Sequence, residues 1–316
     1  MASLASGSAD QIQMTFLSIV FEGAPFLLLG SVLSGFIYSF LPSTQVKRLL
    51  PKNPFIASLV AGLLGLVFPL FGGTMVPIVR RMVKKGLPIS SAVTYLLSAP
   101  LVNIVVFFST WTAFLQPGIK GDTTHWVMAV GRLSLGYAVA VLAGWAVSLL
   151  RPESVLVPAA HPDPVDAPDA PARGFDSKLV LAMRTAMRDF LETAMYFTFG
   201  VIIISLFKTQ ANPAQLASVT GNDHVAAPVL MLLSYVLAQC SSSDAFLAPP
   251  LKGFSYAAKL AFLVFGPMLD IKLTFVYATL FRPKILAVLS VGLFVVIALL
   301  SGPWIGFMQK VFAHAP

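Results

Sequence analysis

Residues 86–103 read GLPISSAVTYLLSAPLVN, and residues 253–270 read GFSYAAKLAFLVFGPMLD. In both stretches a proline lies fourteen residues after the opening glycine, and a polar residue, Asn103 or Asp270, follows three positions later. Duplication of a hydrophobic unit, with interruptions at matching positions, is typical of membrane transporters whose substrate path lies between two repeats. The pattern therefore predicts a polytopic all-α membrane protein built from two repeats.

The match extends upstream to two glutamates inside apolar runs. Glu22 precedes Gly30 by eight residues, and Glu192 precedes Gly200 by the same interval. A carboxyl group in a low-dielectric setting can hold a proton near neutral pH, so both glutamates are proton-coupling candidates. Glu22 is the better one because its run is otherwise uncharged, whereas Glu192 closely follows Asp189. A packing role, with a hydrogen bond to a neighbouring helix, stays open for both.

Composition also indicates a membrane protein. Of 316 residues, 57% are hydrophobic and 11% are charged, with a mean hydropathy of +0.84, whereas soluble domains carry about 25% charged residues. Runs 55–79, 86–119 and 285–309 contain no charged side chain, and each exceeds the ~20 residues that a spanning helix needs. The first residues lack the basic region of a cleaved signal and are expected to remain. The net charge of +8 is better explained by basic cytoplasmic loops than by nucleic-acid binding, which places the protein in the cytoplasmic membrane.

The chain divides into a first repeat (1–150), a cytoplasmic linker rich in Pro, Ala and Asp (151–177) and a second repeat (178–316). Each repeat holds a long helix, an interrupted hairpin and two further helices. The helices are expected near 12–41, 55–70, 87–116 and 124–150, and then near 180–207, 226–239, 241–255, 257–281 and 283–309.

The distribution of Lys and Arg predicts how the hairpins lie. If 55–85 and 226–255 are re-entrant, fourteen basic residues share one face and four lie on the other, which agrees with the positive-inside rule. If both segments cross fully, the bias is only eleven to seven. Re-entrant hairpins leave three crossings in each half, so the second repeat would be inverted relative to the first.

Two segments break the predicted hairpins at matching positions, FPLFGGTMVP at 68–77 and AQCSSSDAF at 238–246. Non-helical backbone at membrane depth is tolerated only where it faces protein or a wet cavity. Two tips that meet near the midplane therefore predict a solute site, against the alternative that the glycines only permit close helix packing. The predicted substrate-binding residues of the tips are Gly72, Gly73, Thr74, Cys240, Ser241, Ser242 and Asp244, and Pro69 and Pro77 bracket the first break.

A second pair of breaks is predicted at Pro100 and Pro267, because proline removes a backbone hydrogen bond and clashes with the preceding turn. Asn103 and Asp270 would then face freed backbone, and with Lys272 they complete the predicted substrate site. Asp270 and Lys272 would point in different directions on a regular helix, so they either pair with each other or each pair across the repeat interface. Charges at this depth often mark an ion or substrate route.

The cysteine and histidine content argues against a metal or cofactor. The single cysteine, Cys240, excludes an intrachain disulfide and a Cys-x-x-Cys metal site. The four histidines have no ligand spacing. A thiolate at Cys240 would be a soft ligand or a nucleophile, whereas lone buried cysteines more often act as small hydrophobic residues. The sequence leaves both roles open.

Two longer blocks carry a family resemblance: PLFGGTMVPIVRRMVKKGLPISSAVTYLLSAPLVNIVV from residue 69, and QCSSSDAFLAPPLKGFSYAAKLAFLVFGPMLDIK from residue 239. They resemble the YraQ-like predicted permease family, which includes the organoarsenical efflux permeases. The resemblance implies solute transport, and efflux is the direction that it suggests, although the sequence itself does not reveal the direction. Its members typically carry Cys-Ser-Cys-Gly in the first hairpin, where this chain has Phe-Gly-Gly-Thr. Trivalent arsenicals are held best by two or three thiolates, so the resemblance does not extend to arsenic.

Three classes of function are compatible with the sequence. The leading one is a permease that moves a small solute through a midplane site between the repeats by alternating access. No Walker sequence is present, so an ion gradient, the solute's own gradient or a partner subunit would drive it. The alternatives are an intramembrane thiol or serine enzyme, for which no span supplies a histidine base, and a membrane scaffold subunit without transport. A small-molecule or ion solute and the lipid bilayer are the expected partners, nucleic acid is not, and a homo-oligomer stays open.

Overall fold

The computed structural model describes residues 2–41, 51, 53–67, 75–115, 123–160, 175–208, 223–251 and 253–313. These residues are helical apart from turns and one isolated bridge between Leu156 and Phe281. A helical turn, Pro152–Val155, and a 3₁₀ turn, Pro158–Ala160, lie between the helix that ends at Ser148 and the helix that begins at Phe175. The helices are α1 (Ala2–Phe40), α2 (Pro54–Val67), α3 (Met75–Lys84), α4 (Ile89–Ser98), α5 (Ile104–Ala113), α6 (Thr124–Ser148), α7 (Phe175–Lys208), α8 (Asp223–Leu237), α9 (Asp244–Leu247), α10 (Tyr256–Met268), α11 (Ile271–Tyr277) and α12 (Pro283–Ala313).

Five stretches of the described chain are long and apolar enough to cross a membrane. Large apolar side chains lie exposed on them, among them Phe21, Leu191 and Val288. Such a surface is stable when it faces lipid and is rare on soluble monomers. The prediction of an all-α polytopic membrane protein is confirmed. The five stretches are Ile12–Phe40, Thr124–Ser148, Phe175–Leu206, Tyr256–Tyr277 and Pro283–Phe312.

Helix contacts in one half recur in the other. The helices α2, α4 and α6 pack against one another, and so do their sequence equivalents α8, α10 and α12. Equivalent helices also meet across the halves, because α1 packs along α7, α4 contacts α10 and α6 contacts α12. An approximate two-fold relation between the halves gives contacts of this kind, so the arrangement supports the two-repeat interpretation. The domain limits and the inverted orientation of the second half stay predictions.

Matching glycines open the duplicated stretches. Gly86 has φ 94° and Gly253 has φ 88°, a left-handed conformation that only glycine adopts without strain. Gly86 ends α3, where its own N–H donates to the Val83 carbonyl and the next N–H, that of Leu87, donates to the Met82 carbonyl. This pair of bonds is a Schellman motif. The two glycines therefore reverse the chain at the same place in each half.

The duplicated stretches are each broken into two short helices. The sequence predicted continuous helices near 87–116 and 257–281, together with breaks at the two prolines; the structure has α4 and α5 separated at residues 99–103, and α10 and α11 separated at 269–270. The helix expected over 241–255 is reduced to Asp244–Leu247. Three consecutive serines favour a turn before it, since their hydroxyls compete for backbone groups, and Pro249 and Pro250 limit it afterwards.

Candidate functional site

A cavity of about 60 Å³ lies where α1 and α7 meet the broken stretches of both halves. The two break prolines, Pro100 and Pro267, both line it. Its volume is enough for a few water molecules or a small solute. Residues far apart in the sequence thus surround one space. The polar residues of the lining are Glu22, Gln239, Cys240, Ser241, Asp270 and Lys272.

Residues 238–243, between α8 and α9, form the tip of the second predicted hairpin and are called the second hairpin turn. Lys272 connects this turn to the break between α10 and α11. Its ammonium donates to the Ala238 carbonyl at 2.6 Å, and it lies 3.7 Å from Asp270 Oδ2. Ala238 has φ 46°, the one left-handed non-glycine residue in the described ranges, a conformation that costs roughly 1–2 kcal/mol. Close packing of α7 helps to place this lysine, since a Cβ on Gly200 would lie 2.6 Å from the Lys272 Cα. Asp270 and Lys272 therefore pair with each other.

Asn103 and Asp270 do the same structural task in the two halves. Asn103 Oδ1 accepts from the Val105 N–H at 2.9 Å and caps α5. Asp270 Oδ1 accepts from the Leu273 N–H at 2.6 Å and caps α11. Each side chain therefore satisfies backbone freed by its break, as the sequence predicted. They differ in surroundings, because Asp270 lines the cavity beside Lys272 and Asn103 is absent from the lining.

Arg132 of α6 forms a buried ion pair with Asp244, at 2.8 Å from Oδ1 and 2.9 Å from Oδ2. Its other contacts are to Thr110 Oγ1 at 2.8 Å and to the Ser241 carbonyl at 2.9 Å. Arg132 is 1% exposed and Asp244 is 2% exposed. The pair thus fastens the second hairpin turn to α5 and α6 of the first half. Asp244, predicted to bind substrate, lies behind the cavity lining.

Sequence reasoning did not assign Arg132 to the site. The signal that could have found it is its position, alone among the apolar residues of a span. A charged side chain at that depth needs a partner, and Asp244 is an equally isolated carboxylate in the other half.

The two glutamates of the repeat differ in their surroundings. Glu22 lies in the cavity lining, next to Gly23, whose lack of a side chain lets Phe197 approach. Glu192 instead forms an ion pair with Arg80 of α3 at 2.7 Å. Of the two proton-coupling candidates, only Glu22 is therefore at the candidate site.

A profile of a family described as predicted permeases matches residues 8–307. The chain belongs to this predicted permease family. It is 32% identical over 305 residues to the UPF0718 protein YcgR of Bacillus subtilis (strain 168), covering 94% of this chain and 97% of that protein. It is also 32% identical over 278 residues to a protein of Streptococcus mutans serotype c named "Putative two-component membrane permease complex subunit", covering 88% of this chain and 89% of that one. No solved structure matches the chain. The protein is thus a multi-pass permease of the cell membrane.

The remaining predicted site residues of this permease lie in the second hairpin turn, in α3 or outside the described ranges. Cys240 Sγ lies 3.5 Å from Ser242 Oγ. Within the described ranges, no group of three or more His, Cys, Asp and Glu side chains could hold a metal ion. Pro77 lies within α3, and its carbonyl oxygen lies 3.1 Å from Ser34 Oγ. Four predicted residues lie outside the described ranges: Pro69, Gly72, Gly73 and Thr74.

A second polar cluster fixes α3 of the permease to α1 and α7. Arg81 donates to both carboxylate oxygens of Asp189, at 2.6 and 3.0 Å, and Ser34 Oγ donates to the same carboxylate at 2.7 Å. The Arg81 guanidinium also lies 4.8 Å from the ring centroid of Tyr38. A bidentate pair with a further hydrogen bond fixes geometry firmly. The basic end of the first hairpin is thereby held to the second half of the chain.

Proposed function

We propose that this permease moves a small solute through the cavity lined by Glu22, Cys240, Ser241, Asp270 and Lys272, between its two halves, by alternating access. The proposal rests on the difference between Asn103 and Asp270, which cap equivalent helices in the two halves. Asn103 caps its helix with a neutral amide, so a negative charge is not required for capping at this place in the fold. The carboxylate at Asp270 therefore has a further role, and its position in the cavity beside Lys272 supports solute or ion binding.

The surroundings of the cavity favour a binding site over a structural salt bridge. Asp270 and Lys272 are 3.7 Å apart, longer than the strong charge-assisted bonds of about 2.7–2.9 Å. Asp270 Oδ2 is not used in capping, and the Lys272 ammonium has two N–H groups besides the one donated to Ala238, so both residues keep capacity to bind a polar or charged solute. Glu22 of α1 also lines the cavity and supplies a further carboxyl group.

The alternatives from the sequence have less support. An enzyme with Cys240 or Ser241 as nucleophile needs a general base, and no histidine is among the residues that line the cavity. A scaffold without transport gives no reason for charged residues around a cavity at the junction of two broken helices. Membership of a permease family also favours transport over catalysis.

The test begins with the solute. Purified protein is screened for thermal stabilisation by anions, metalloids and thiols, since a ligand of the folded state raises the unfolding temperature. The strongest ligand is then followed into proteoliposomes. Asp270→Asn should lower its flux by about tenfold or more, because a hydrogen bond to a charged group contributes roughly 1.5–3 kcal/mol. Asp176→Asn, an equal change at an exposed residue of α7, should not.

The outcome separates the classes of function. Unchanged flux in a well-folded Asp270→Asn protein would contradict the site, and chemical conversion of the ligand would point to an enzyme. The Streptococcus mutans relative is named as a subunit of a two-component complex, and we extend that possibility to this chain. Ligand stabilisation without flux by the purified chain, abolished by Asp270→Asn, would indicate that a second subunit is needed for transport.

A further inference from the structure

An apolar groove of about 580 Å³ runs between α6 and α12 and shares no lining residue with the solute cavity. Its walls come from the C-terminal half of α6 and the first turns of α12, and all of its lining residues are apolar. Leu149 at one end is 81% exposed and Val288 is 70% exposed. Gly292 is one of the lining residues, and a side chain there would meet no atom within 4 Å. The groove is therefore open to the membrane rather than filled by this chain.

The length of the groove matches one leaflet. On α12 the lining runs from Ile285 to Val296, a rise of about 16 Å at ~1.5 Å per residue. The hydrocarbon core of a bilayer is ~30 Å thick, so one leaflet supplies ~15 Å. An acyl chain that enters at the α12 N-terminus would end near Val296.

Basic residues surround the open end. Arg151 follows Leu150 of the lining, Lys284 precedes Ile285, and all of Arg151, Arg282 and Lys284 are exposed. Backbone bonds bring the two segments together, because the Arg282 N–H donates to the Val155 carbonyl at 2.9 Å. None of the three forms an ion pair with a described residue. The helical turn Pro152–Val155, which follows Arg151, contains one acidic residue, Glu153.

We propose that this groove binds an anionic phospholipid, with its phosphate among Arg151, Arg282 and Lys284 and one acyl chain between α6 and α12. Charge complementarity selects this occupant. Clusters of basic residues at the end of a span attract anionic head groups, by an amount that grows with each Lys or Arg. An apolar chain alone would fit any lipid, so the head group provides the selectivity. The three residues also lie on the face for which the sequence predicts the cytoplasmic side.

Native mass spectrometry of the full chain in detergent tests the proposal, with phosphatidylglycerol or phosphatidylcholine added at matched concentrations. Wild type should retain phosphatidylglycerol in preference to phosphatidylcholine. Arg151→Glu with Lys284→Glu should weaken phosphatidylglycerol binding by about tenfold or more, and Gly292→Leu should weaken binding by filling the groove.

Two control variants make matched changes away from the groove. Arg184→Glu with Arg188→Glu makes the same charge change on exposed α7 residues, and Gly306→Leu makes the same apolar change elsewhere on α12, where space is also open. Neither control should alter binding.

Each other result would overturn the proposal. Equal retention of both lipids would mean non-selective contact with bulk lipid. Binding that survives both groove variants would place the lipid elsewhere. A dimer mass that Gly292→Leu abolishes would show that a second copy of this chain covers the groove. If the double Glu variant does not fold, Arg151→Gln with Lys284→Gln removes the same positive charges without adding negative ones and should give a smaller loss in the same direction.

Discussion

At the scale of single residues, the second hairpin turn depends on one guanidinium. Arg132 satisfies the Asp244 carboxylate and the Ser241 carbonyl at once, so it fixes a residue of the cavity lining without touching the cavity. A buried ion pair contributes little net stability compared with well-packed apolar residues, but the loss of one partner leaves an uncompensated buried charge. Its value here is in positioning the turn that carries Cys240 and Ser241.

This asymmetry predicts a non-additive pair of substitutions. Arg132→Met should lower the free energy of unfolding by roughly 3–5 kcal/mol, because Asp244 is left buried and unpaired. Arg132→Met combined with Asp244→Leu should lower it by less than Arg132→Met alone. Thermal and denaturant unfolding in detergent measure both, and the single Asp244→Leu protein completes the cycle. Strictly additive losses would contradict the assignment of a coupled buried pair.

The contrast between Asp270 and Arg132 shows what the sequence could reveal at this scale. The role of Asp270 follows from its neighbours, because Pro267 frees backbone groups that a carboxylate three positions later can cap. The pairing of Arg132 with Asp244 spans 112 residues, and no local pattern encodes it. Likewise, Glu192 differs from Glu22 because it forms an ion pair with Arg80. That contact exists only in the folded chain and has no local sequence pattern.

At the scale of elements, the turns at Gly86 and Gly253 set where each broken stretch begins. Gly86→Ala and Gly253→Ala should each lower the free energy of unfolding by about 1 kcal/mol, because an alanine is strained at positive φ. Gly306→Ala is the matched control within α12. It should raise stability by about 0.5–1 kcal/mol, since glycine weakens a helix interior and the added methyl has open space. Unfolding temperatures report the sign, and stabilisation by either turn substitution would refute the role of the left-handed turn.

The ends of a helix could be predicted where a proline or a capping residue marks them strongly, and the prediction failed where the signals conflict. The breaks at Pro100 and Pro267 and the caps that follow were predictable from proline chemistry. The reduction of 241–255 to one helical turn was not predicted, because the apolar residues favoured a longer helix by pattern and outweighed the signals of the serines before it and of Pro249 and Pro250 after it. Short segments of this kind are decided by tertiary contacts such as those of Arg132.

At the scale of the whole molecule, the predicted re-entrant hairpins and inverted repeat determine which side of the membrane each loop should face. In a Cys240→Ser background, single cysteines replacing Lys47 and Lys84 should both resist an impermeant maleimide in intact cells and react after lysis. A cysteine replacing Lys120 should react in intact cells, because that residue is expected on the opposite face. Labelling of positions 47 and 84 from opposite sides would mean that the first hairpin crosses fully, and the inverted arrangement would be wrong.

The membrane class and the existence of two related halves could be read from the sequence because both depend on periodic, local features: long uncharged runs and a repeated glycine–proline interval. The way in which the two halves pack against each other could not be read from the sequence. The packing of α1 along α7 and of α6 against α12 depends on shape, for example on Gly35, where a Cβ would lie 2.2 Å from the Ala182 carbonyl oxygen. Residue types on an apolar face do not by themselves specify which other face they meet.

The bridge between Leu156 and Phe281 determines what cleavage of the linker would do to the protein. The Val157 N–H donates to the Leu280 carbonyl at 3.0 Å and the Arg282 N–H to the Val155 carbonyl at 2.9 Å, so the first part of the linker is hydrogen-bonded directly to the residues that precede α12. The atoms of these bonds lie outside residues 161–174, so a protease cut within that segment would leave the bonds in place. Val155 and Leu156 are also fully buried, which adds apolar contact to the hydrogen bonds. A chain nicked between residues 161 and 174 is therefore expected to stay together as two fragments until it is denatured.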